Sequence, residues 1–185
     1  MDTKEKKQAL RRTMRDAVRE ISKEQRFRMD MALHRNLLEH PWLHEADTIL
    51  SYCSTREEPD THWIIGWGLG NGKTVALPVC LEDGVMEFCR LCDTSELRAG
   101  KYGILEPVGR DPVTITEKTL CIVPGFAFTP DGKRLGKGGG YYDRFLAAHP
   151  GLRTIGLSYA QLLQAELPCE IHDIGVDAVI TDRMK

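Results

Sequence analysis

The stretch from residue 124 to residue 144 constrains this chain more than any other. It holds six glycines, four Lys or Arg residues and two Asp residues, between an apolar run and a helical pattern. Glycine loses more backbone freedom on folding than other residues, so this cluster indicates a backbone that must approach something closely. The cations Lys133, Arg134 and Lys137 indicate that the partner is anionic, and a phosphate at a helix N-terminus fits. We call residues 125–140 the glycine loop.

The glycine loop departs from two common nucleotide-binding motifs. Gly132 and Gly136 enclose three residues where a Walker A motif has four, and Gly138 follows Lys137 where Ser or Thr is required. Starting from Gly136, the third glycine of the dinucleotide fingerprint would fall on Tyr141. A mobile surface loop with incidental lysines is the alternative. The position of the glycine loop between an apolar strand and a helix argues against this alternative.

Helical and strand patterns alternate along the rest of the chain. Helices are predicted over residues 4–20, 23–39, 60–69 and 139–148, and strands over 47–53, 74–79, 86–91, 119–124, 153–157 and 176–180. The pair Ser22 and Gln25 predicts a capping box that opens the second helix, and Pro41 is expected to end it. This alternation predicts an α/β fold with a mostly parallel sheet covered by helices on both faces, which binds ligands beyond the carboxyl ends of its strands.

The turn-rich residues 100–118 are expected to form a long connection or flap. With no internal repeat or linker, one domain over residues 1–185 is predicted.

Charge and composition exclude several classes of protein. The net charge is −2, yet residues 1–28 hold ten Lys or Arg against five Asp or Glu. This basic segment has three interpretations: a solvated helix face, a nucleic-acid contact, or one or two cations that reach an anionic ligand. The interspersed acidic residues favour the solvated helix face. No run approaches the ~18 apolar residues of a membrane span. No signal-peptide core is present, so a cytoplasmic protein with no membrane or nucleic-acid partner is expected.

The six cysteines are therefore expected to remain thiols. Cys89 and Cys92 form a lone CxxC pair, whereas a structural zinc site needs a second ligand pair. In a strand that runs through Cys92, the two thiols would point to opposite faces.

Several acidic residues are candidates for chemistry. Asp143, in the first turn of a helix, would complement the helix dipole or bind Mg²⁺ beside phosphates. Glu57 and Glu58 follow a strand, where they would bind a polar substrate group or form a solvated turn; Asp60 is expected to cap a helix. His172-Asp173 is a loop feature or a partner of Asp143 at a metal.

The run Asp-Gly-Lys-Arg-Leu-Gly-Lys-Gly-Gly-Gly-Tyr-Tyr-Asp-Arg at residues 131–144 resembles the signature of the 5-formyltetrahydrofolate cyclo-ligase family, also called methenyltetrahydrofolate synthetase. Shorter similarities lie at Lys7-x-x-x-Arg11, Glu58-Pro-Asp-Thr61, Tyr102-Gly-Ile-Leu-Glu-Pro107 and His172-Asp173. The resemblance implies a three-layer α/β sandwich of the ribose-phosphate isomerase and CoA-transferase type. It implies that 5-formyltetrahydrofolate, ATP and Mg²⁺ yield 5,10-methenyltetrahydrofolate, ADP and phosphate.

The resemblance also implies residue roles. It places Arg134 and Lys137 at the transferring phosphoryl group. It also makes Asp143 and Asp173 the ligands of magnesium. The folate would be bound by Glu58, Tyr102, Lys137 and Tyr141. The ATP contacts would be Lys7, Arg11, Arg134, Leu135, Gly136, Lys137, Gly138, Gly139, Gly140, Tyr141 and Tyr142. A monomer is expected.

Four aromatic residues are candidates for packing the pterin ring: Trp63, Trp67, Tyr102 and Phe126. Core packing is the expected role of at least two of them.

Two positions depart from the family pattern. Thr129 stands where the family often has Asp, and Pro59 replaces an Ile-like residue beside Glu58. A nucleotide-binding regulatory or RNA-associated module without ligase activity is the alternative function. A sugar-phosphate isomerase would rest on fold alone.

Overall fold

The computed structural model describes residues 2–100 and 103–183. The helices are α1 (Thr3–Glu20), α2 (Lys23–Leu38), α3 (Pro41–Glu45), α4 (His62–Gly70) and α5 (Tyr141–Ala148). The strands are β1 (Thr48–Leu50), β2 (Thr74–Cys80), β3 (Met86–Leu91), β4 (Leu97–Ala99), β5 (Leu105–Pro107), β6 (Thr119–Val123), β7 (Ala127–Phe128), β8 (Arg134–Leu135), β9 (Arg153–Ser158) and β10 (Ala178–Thr181).

Six strands form the central sheet in the order β10-β9-β6-β1-β2-β3. All neighbours are parallel except β2 and β3, which are antiparallel. Every residue of β6 is buried, as expected for a strand covered on both faces. The prediction of an α/β fold with a mostly parallel sheet is confirmed.

Each face of the sheet packs against its own helices. Ile122 of β6 packs with Leu33 and Leu37 of α2 in a cluster that also includes side chains from α1, α3 and α4. Its neighbours Cys121 and Val123 face the other way, into the cluster that holds α5. This alternation along one strand produces the three layers.

The first two helices begin and end close to their predicted bounds, and the capping box of α2 is present. Ser22 Oγ accepts from Gln25 N, and Gln25 Oε1 accepts from Ser22 N. The prediction that Pro41 ends α2 was wrong: α2 ends at Leu38, and Pro41 begins α3. Proline fits the first turn of a helix because the N–H that it lacks has no intrahelical partner there.

Two short hairpins were missed. Strands β4 and β5 pair within and just before the region expected to be a flap, and β7 and β8 pair inside the glycine loop. Strands of two or three residues are too short for periodicity to reveal.

All six cysteines are free thiols, with Cys89 buried and Cys92 exposed. None of the helices in the described ranges is long and apolar enough to cross a membrane.

Gly132 fixes the turn between β7 and β8 against the C-terminal segment. It adopts φ +88°, and its carbonyl accepts from Val176 N at 2.8 Å. A Cβ on Gly132 would lie 2.1 Å from the Val176 carbonyl oxygen. No L side chain fits without movement of the backbone.

We expect Gly132→Ala to destabilise the protein more than Gly151→Ala. Gly151 also has positive φ, +90°, but a Cβ there meets nothing within 4 Å. Gly151→Ala should lower the free energy of unfolding by about 1–2 kcal/mol, because only the left-handed backbone is unfavourable there. At Gly132 the clash with Val176 should lower it by about 2 kcal/mol or more in addition. Urea unfolding measures both, and equal losses would contradict the role of the Val176 contact.

Candidate active site

A cavity of about 380 Å³ opens at the carboxyl ends of β1, β2 and β6. Its wall is formed by the segments that follow these strands, by the glycine loop and by the start of α5. The lining includes Tyr52, Glu58, Cys80, Glu106, Lys137 and Asp143. Ligands of open α/β sheets bind at this edge.

Arg134 ties the glycine loop to three other segments. It is 6% exposed. Nη2 donates to Asp143 Oδ1 at 2.5 Å, Nη1 donates to Pro124 O, and Nε donates to Ile174 O, the last two at 3.2 Å. A buried charge is tolerated when it is paired and its donors are used. Arg134 therefore orders the wall of the cavity as well as adding charge to it.

Lys7 and Arg11 share one face of α1, as their spacing predicted. Lys7 is buried, and Nζ donates to Glu170 Oε2 at 2.6 Å and to both oxygens of Asp173 at 2.8 and 2.6 Å. Arg11 Nε donates to Gly136 O at 2.7 Å. Neither residue lines the cavity itself; both contact loops that surround it.

These contacts shift the pKa values of both cations. Burial alone would lower the pKa of Lys7, but its bonds to Asp173 and Glu170 raise it overall. Burial lowers the pKa of Arg11, against the attraction of Asp173 and Asp143. Ile174, the residue after Asp173, donates its N–H to Asp143 Oδ1 at 3.1 Å, so the two predicted metal ligands lie on neighbouring segments.

Glu58 is 1% exposed and lines the cavity. Its Oε2 accepts from the backbone N and the hydroxyl of Thr55, both at 2.9 Å. Its Oε1 is ion-paired with Lys137 Nζ at 2.9 Å. A buried carboxylate is tolerated when it is paired and hydrogen-bonded in this way. Tyr142, also on the cavity, has a buried hydroxyl with no partner among the described residues.

Two glycines of the loop have a backbone that favours glycine. Gly138 adopts φ +101°, and a Cβ there would lie 3.3 Å from the Arg11 guanidinium carbon. Gly140 is the left-handed N-cap of α5, without a side-chain cap. The first N–H groups of α5 therefore have no capping side chain, which leaves them for an anion.

The other residues with predicted roles are divided between the cavity and the rest of the molecule. Leu135 is buried with Met14 and Phe126, away from the cavity. Lys133 is exposed and pairs with Asp131 at 3.7 Å. Gly139, Gly140 and Tyr141 line the cavity, whereas Tyr102 lies outside the described residues.

The aromatic candidates for packing a pterin lie in the core. Trp63 and Trp67 pack against the cluster on the α1–α4 face, and Phe126 packs with Met14. None of these three rings lines the cavity, where Tyr52, Tyr141 and Tyr142 are found instead.

Glu106 is a site residue that the sequence reasoning missed. It is 7% exposed, lines the cavity and accepts from Cys80 N at 3.4 Å. The signal was present, because Glu106 lies in one of the shorter similarities.

Near Asp173, the side chains of Glu170, His172 and Asp173 have potential ligand atoms within 4.8 Å of one another. Lys7 Nζ already pairs with both carboxylates of this group.

A mostly parallel α/β sheet whose carboxyl edge carries a cavity lined by glycines and cations is an arrangement suited to an anionic ligand. A model described as the 5-formyltetrahydrofolate cyclo-ligase family matches residues 3–182. The chain belongs to this family, and the prediction that it is a ligase of this family is confirmed.

Individual relatives agree with this assignment. The chain is 32% identical to the 5-formyltetrahydrofolate cyclo-ligase of Escherichia coli K12, with 91% of this chain and 96% of the relative covered. It is 31% identical to a probable 5-formyltetrahydrofolate cyclo-ligase of Caenorhabditis elegans, covering 96% and 93%. The solved 5,10-methenyltetrahydrofolate synthetase of Aquifex aeolicus superposes with a TM-score of 0.84 at 31% identity, covering 96% and 90%.

The segment that carries Glu58 contains an ion pair that depends on pH. Asp60 Oδ1 accepts from His62 N at 3.1 Å and contacts His62 Nδ1 at 2.8 Å. The bond to His62 lowers the pKa of Asp60 to about 2, and the bond to Asp60 raises the pKa of His62. The prediction that Asp60 caps the helix was wrong: Thr61 is the N-cap of α4, without a side-chain cap, and Asp60 lies one residue before it.

We expect the stability contributed by His62 to be greater at about pH 5 than at about pH 9. A raised pKa in the folded state stabilises below the unfolded value, and this gain is lost as the pH rises through the folded value. Asp60 stays ionised throughout this range. Urea unfolding of the wild type and His62→Gln should show a difference in midpoint that shrinks at the higher pH. An unchanged difference would mean that the ion pair contributes nothing.

Proposed function

We propose that this chain closes the ring of 5-formyltetrahydrofolate to give 5,10-methenyltetrahydrofolate, with ATP converted to ADP and phosphate. One observation supports this most: Lys137 of the glycine loop contacts the buried carboxylate of Glu58 at 2.9 Å. Lys137, which is suited to bind phosphate, therefore contacts Glu58, which is suited to bind a pterin. The reaction requires these two ligands to meet.

The phosphates of ATP would bind along the glycine loop. The uncapped N-terminus of α5 and the backbone of residues 136–140 supply N–H groups, and Tyr141 and Tyr142 flank them. Lys7 and Arg11 would reach the same polyphosphate from α1. Leu135 would contribute only its backbone, because its side chain is buried away from the cavity.

Lys137 and Arg134 would stabilise charge on the transferring phosphoryl group. Lys137 lines the cavity, and its partly exposed side chain pairs with Glu58 at 2.9 Å. Arg134 is held by Asp143 and by two carbonyls, so its charge is fixed in place before any ligand binds.

The folate would occupy the part of the cavity nearest Glu58. Glu58 lines the cavity beside Lys137, and the N–H groups of a pterin are donors that a carboxylate accepts. Lys137, Tyr141 and Tyr102 are the other proposed folate contacts. Glu106 adds a second buried acceptor on the same wall.

Magnesium fits the donor chemistry of Asp143 and Asp173, because Mg²⁺ prefers carboxylate oxygens beside phosphates. Both carboxylates act on Arg11, which contacts the glycine loop. At Asp173 the ion would compete with Lys7, which holds both oxygens. When bound, the ion would neutralise phosphate charge.

The proposed chemistry has two steps. The formyl oxygen attacks the γ-phosphorus, and the bond from phosphorus to the ADP oxygen breaks. The neighbouring folate nitrogen then attacks the activated formyl carbon, and phosphate leaves with the former formyl oxygen. Such chemistry depends on positioning and charge stabilisation more than on a nucleophilic side chain.

We further propose that residues 1–185 act as one domain and as a cytoplasmic monomer, without a nucleic-acid or membrane partner.

The activity is tested by mixing purified protein with 5-formyltetrahydrofolate, ATP and Mg²⁺. We expect the near-UV absorbance of methenyltetrahydrofolate to appear only when ATP is present, with one ADP formed per product. Absence of this absorbance with folded protein would refute the proposal.

We expect Lys137→Ala to lower kcat by about 100- to 1,000-fold, because a cation at the transferring group is lost. Lys133→Ala is the matched control: the same residue type in the same loop, but exposed and outside the cavity. It should retain wild-type kcat. Equal rates in the two variants would contradict the assignment of Lys137.

A further inference from the structure

The loop between β1 and α4 carries Glu58, and it is held mainly by the two N-terminal helices. On its outer side, Glu57 pairs with Arg15 at 3.0 Å and with Arg19 at 3.1 Å, both from α1. On its inner side, it meets Arg26 and Asp30 of α2.

Arg26 donates to three backbone carbonyls of this loop. Nη2 donates to Glu58 O at 2.6 Å and to Thr55 O at 3.4 Å, and Nη1 donates to Arg56 O. The residue that supplies the buried carboxylate is therefore bonded through its own main chain. The rigid fork of guanidinium can reach several carbonyls, which a lysine cannot do.

Asp30 holds the other end of the loop. It is 8% exposed, and its Oδ1 accepts from Asp60 N at 3.1 Å and from the hydroxyl of Tyr159 at 2.7 Å. Its Oδ2 lies 3.7 Å from Arg26 Nε. Burial and the bond to Asp30 raise the pKa of Tyr159, so its hydroxyl remains a donor.

Pro59 lies between these two attachments and has no N–H to donate. With Arg26 on the Glu58 carbonyl and Asp30 on the Asp60 N–H, the backbone on both sides of Pro59 is fixed. The position of Glu58 Oε1 in the cavity follows from this backbone.

We propose that Arg26, supported by Asp30 and Tyr159, is a positioning residue that sets Glu58 for 5-formyltetrahydrofolate. This inference rests on the proposed function, since it gives Glu58 the folate. Arg26 does not line the cavity and acts through the loop.

The first test compares Arg26→Ala with Arg28→Ala. Arg28 lies on the same helix, is exposed and pairs with Glu24 at 2.6 Å, so its removal controls for lost charge. We expect Arg26→Ala to lower kcat/KM for 5-formyltetrahydrofolate by about 10- to 100-fold, because a misplaced contact residue loses productive geometry. The effect on KM for ATP should be smaller than the effect on kcat/KM for the folate, because Arg26 reaches the glycine loop only through the contact of Glu58 with Lys137. Arg28→Ala should leave both constants unchanged.

A purely structural role would lower stability without this selectivity. Each variant is therefore assayed well below its own melting temperature. If Arg26→Ala does not fold, Arg26→Lys keeps the charge without the fork and should show the same selective loss. Wild-type constants for folate, or an equal effect on ATP, would overturn the proposal.

A double-mutant cycle tests whether Arg26 acts through Glu58. Calorimetric titration gives the Kd of 5-formyltetrahydrofolate for the wild type, Arg26→Ala, Glu58→Gln and the double variant. We expect the Arg26→Ala effect to fall below about twofold in the Glu58→Gln background, because coupled residues are non-additive. The same fold-change in both backgrounds would overturn the proposal. A wild type that neither binds folate nor forms product would instead refute the proposed function.

Discussion

The buried guanidinium of Arg134 is the interaction on which the site depends. Its bonds join the glycine loop to the end of β6, to α5 through Asp143, and to the C-terminal segment through Ile174. Breaking one partner of such a buried charge leaves the other uncompensated, which makes the arrangement all-or-none. The loop that was identified by its glycines is held in place by this arginine.

Helix α1 connects three loops at the edge of the sheet. Lys7, Arg11, Arg15 and Arg19 recur every four residues and so form one stripe. Lys7 meets the segment around Asp173, Arg11 meets the glycine loop, and Arg15 and Arg19 meet the loop of Glu58. At these four cations the basic N-terminal segment is thus not merely solvated. Its cations bind the ligand-side loops together.

Much of this could be predicted from the sequence. The apolar run of β6 and the glycines that follow it predicted the parallel sheet and the cavity edge, because both signals are local. The hairpins β4–β5 and β7–β8 could not be found, since their pairing is set by partners outside each short strand. The role of Pro41 was misread because proline both ends helices and begins them.

The residues of the candidate site could be predicted only in part, because the sequence does not show which side chains face the cavity. Glu57 and Glu58 are adjacent and chemically alike, yet one pairs at the surface and the other is buried at the cavity. Trp63 and Trp67 carry the right chemistry for a pterin but face the core. Only the fold decides such orientations. Arg26 was missed because it reaches the site through a loop distant in sequence, whereas Glu106 lines the cavity and lies in one of the shorter similarities.

The central claim is that the cavity brings the formyl oxygen of the folate to the γ-phosphate held by the glycine loop. Substrate labelled with ¹⁸O at the formyl group tests it directly, with the released phosphate analysed by mass spectrometry. The account predicts one ¹⁸O atom in each phosphate and none in ADP. Unlabelled phosphate formed together with the methenyl product would contradict it.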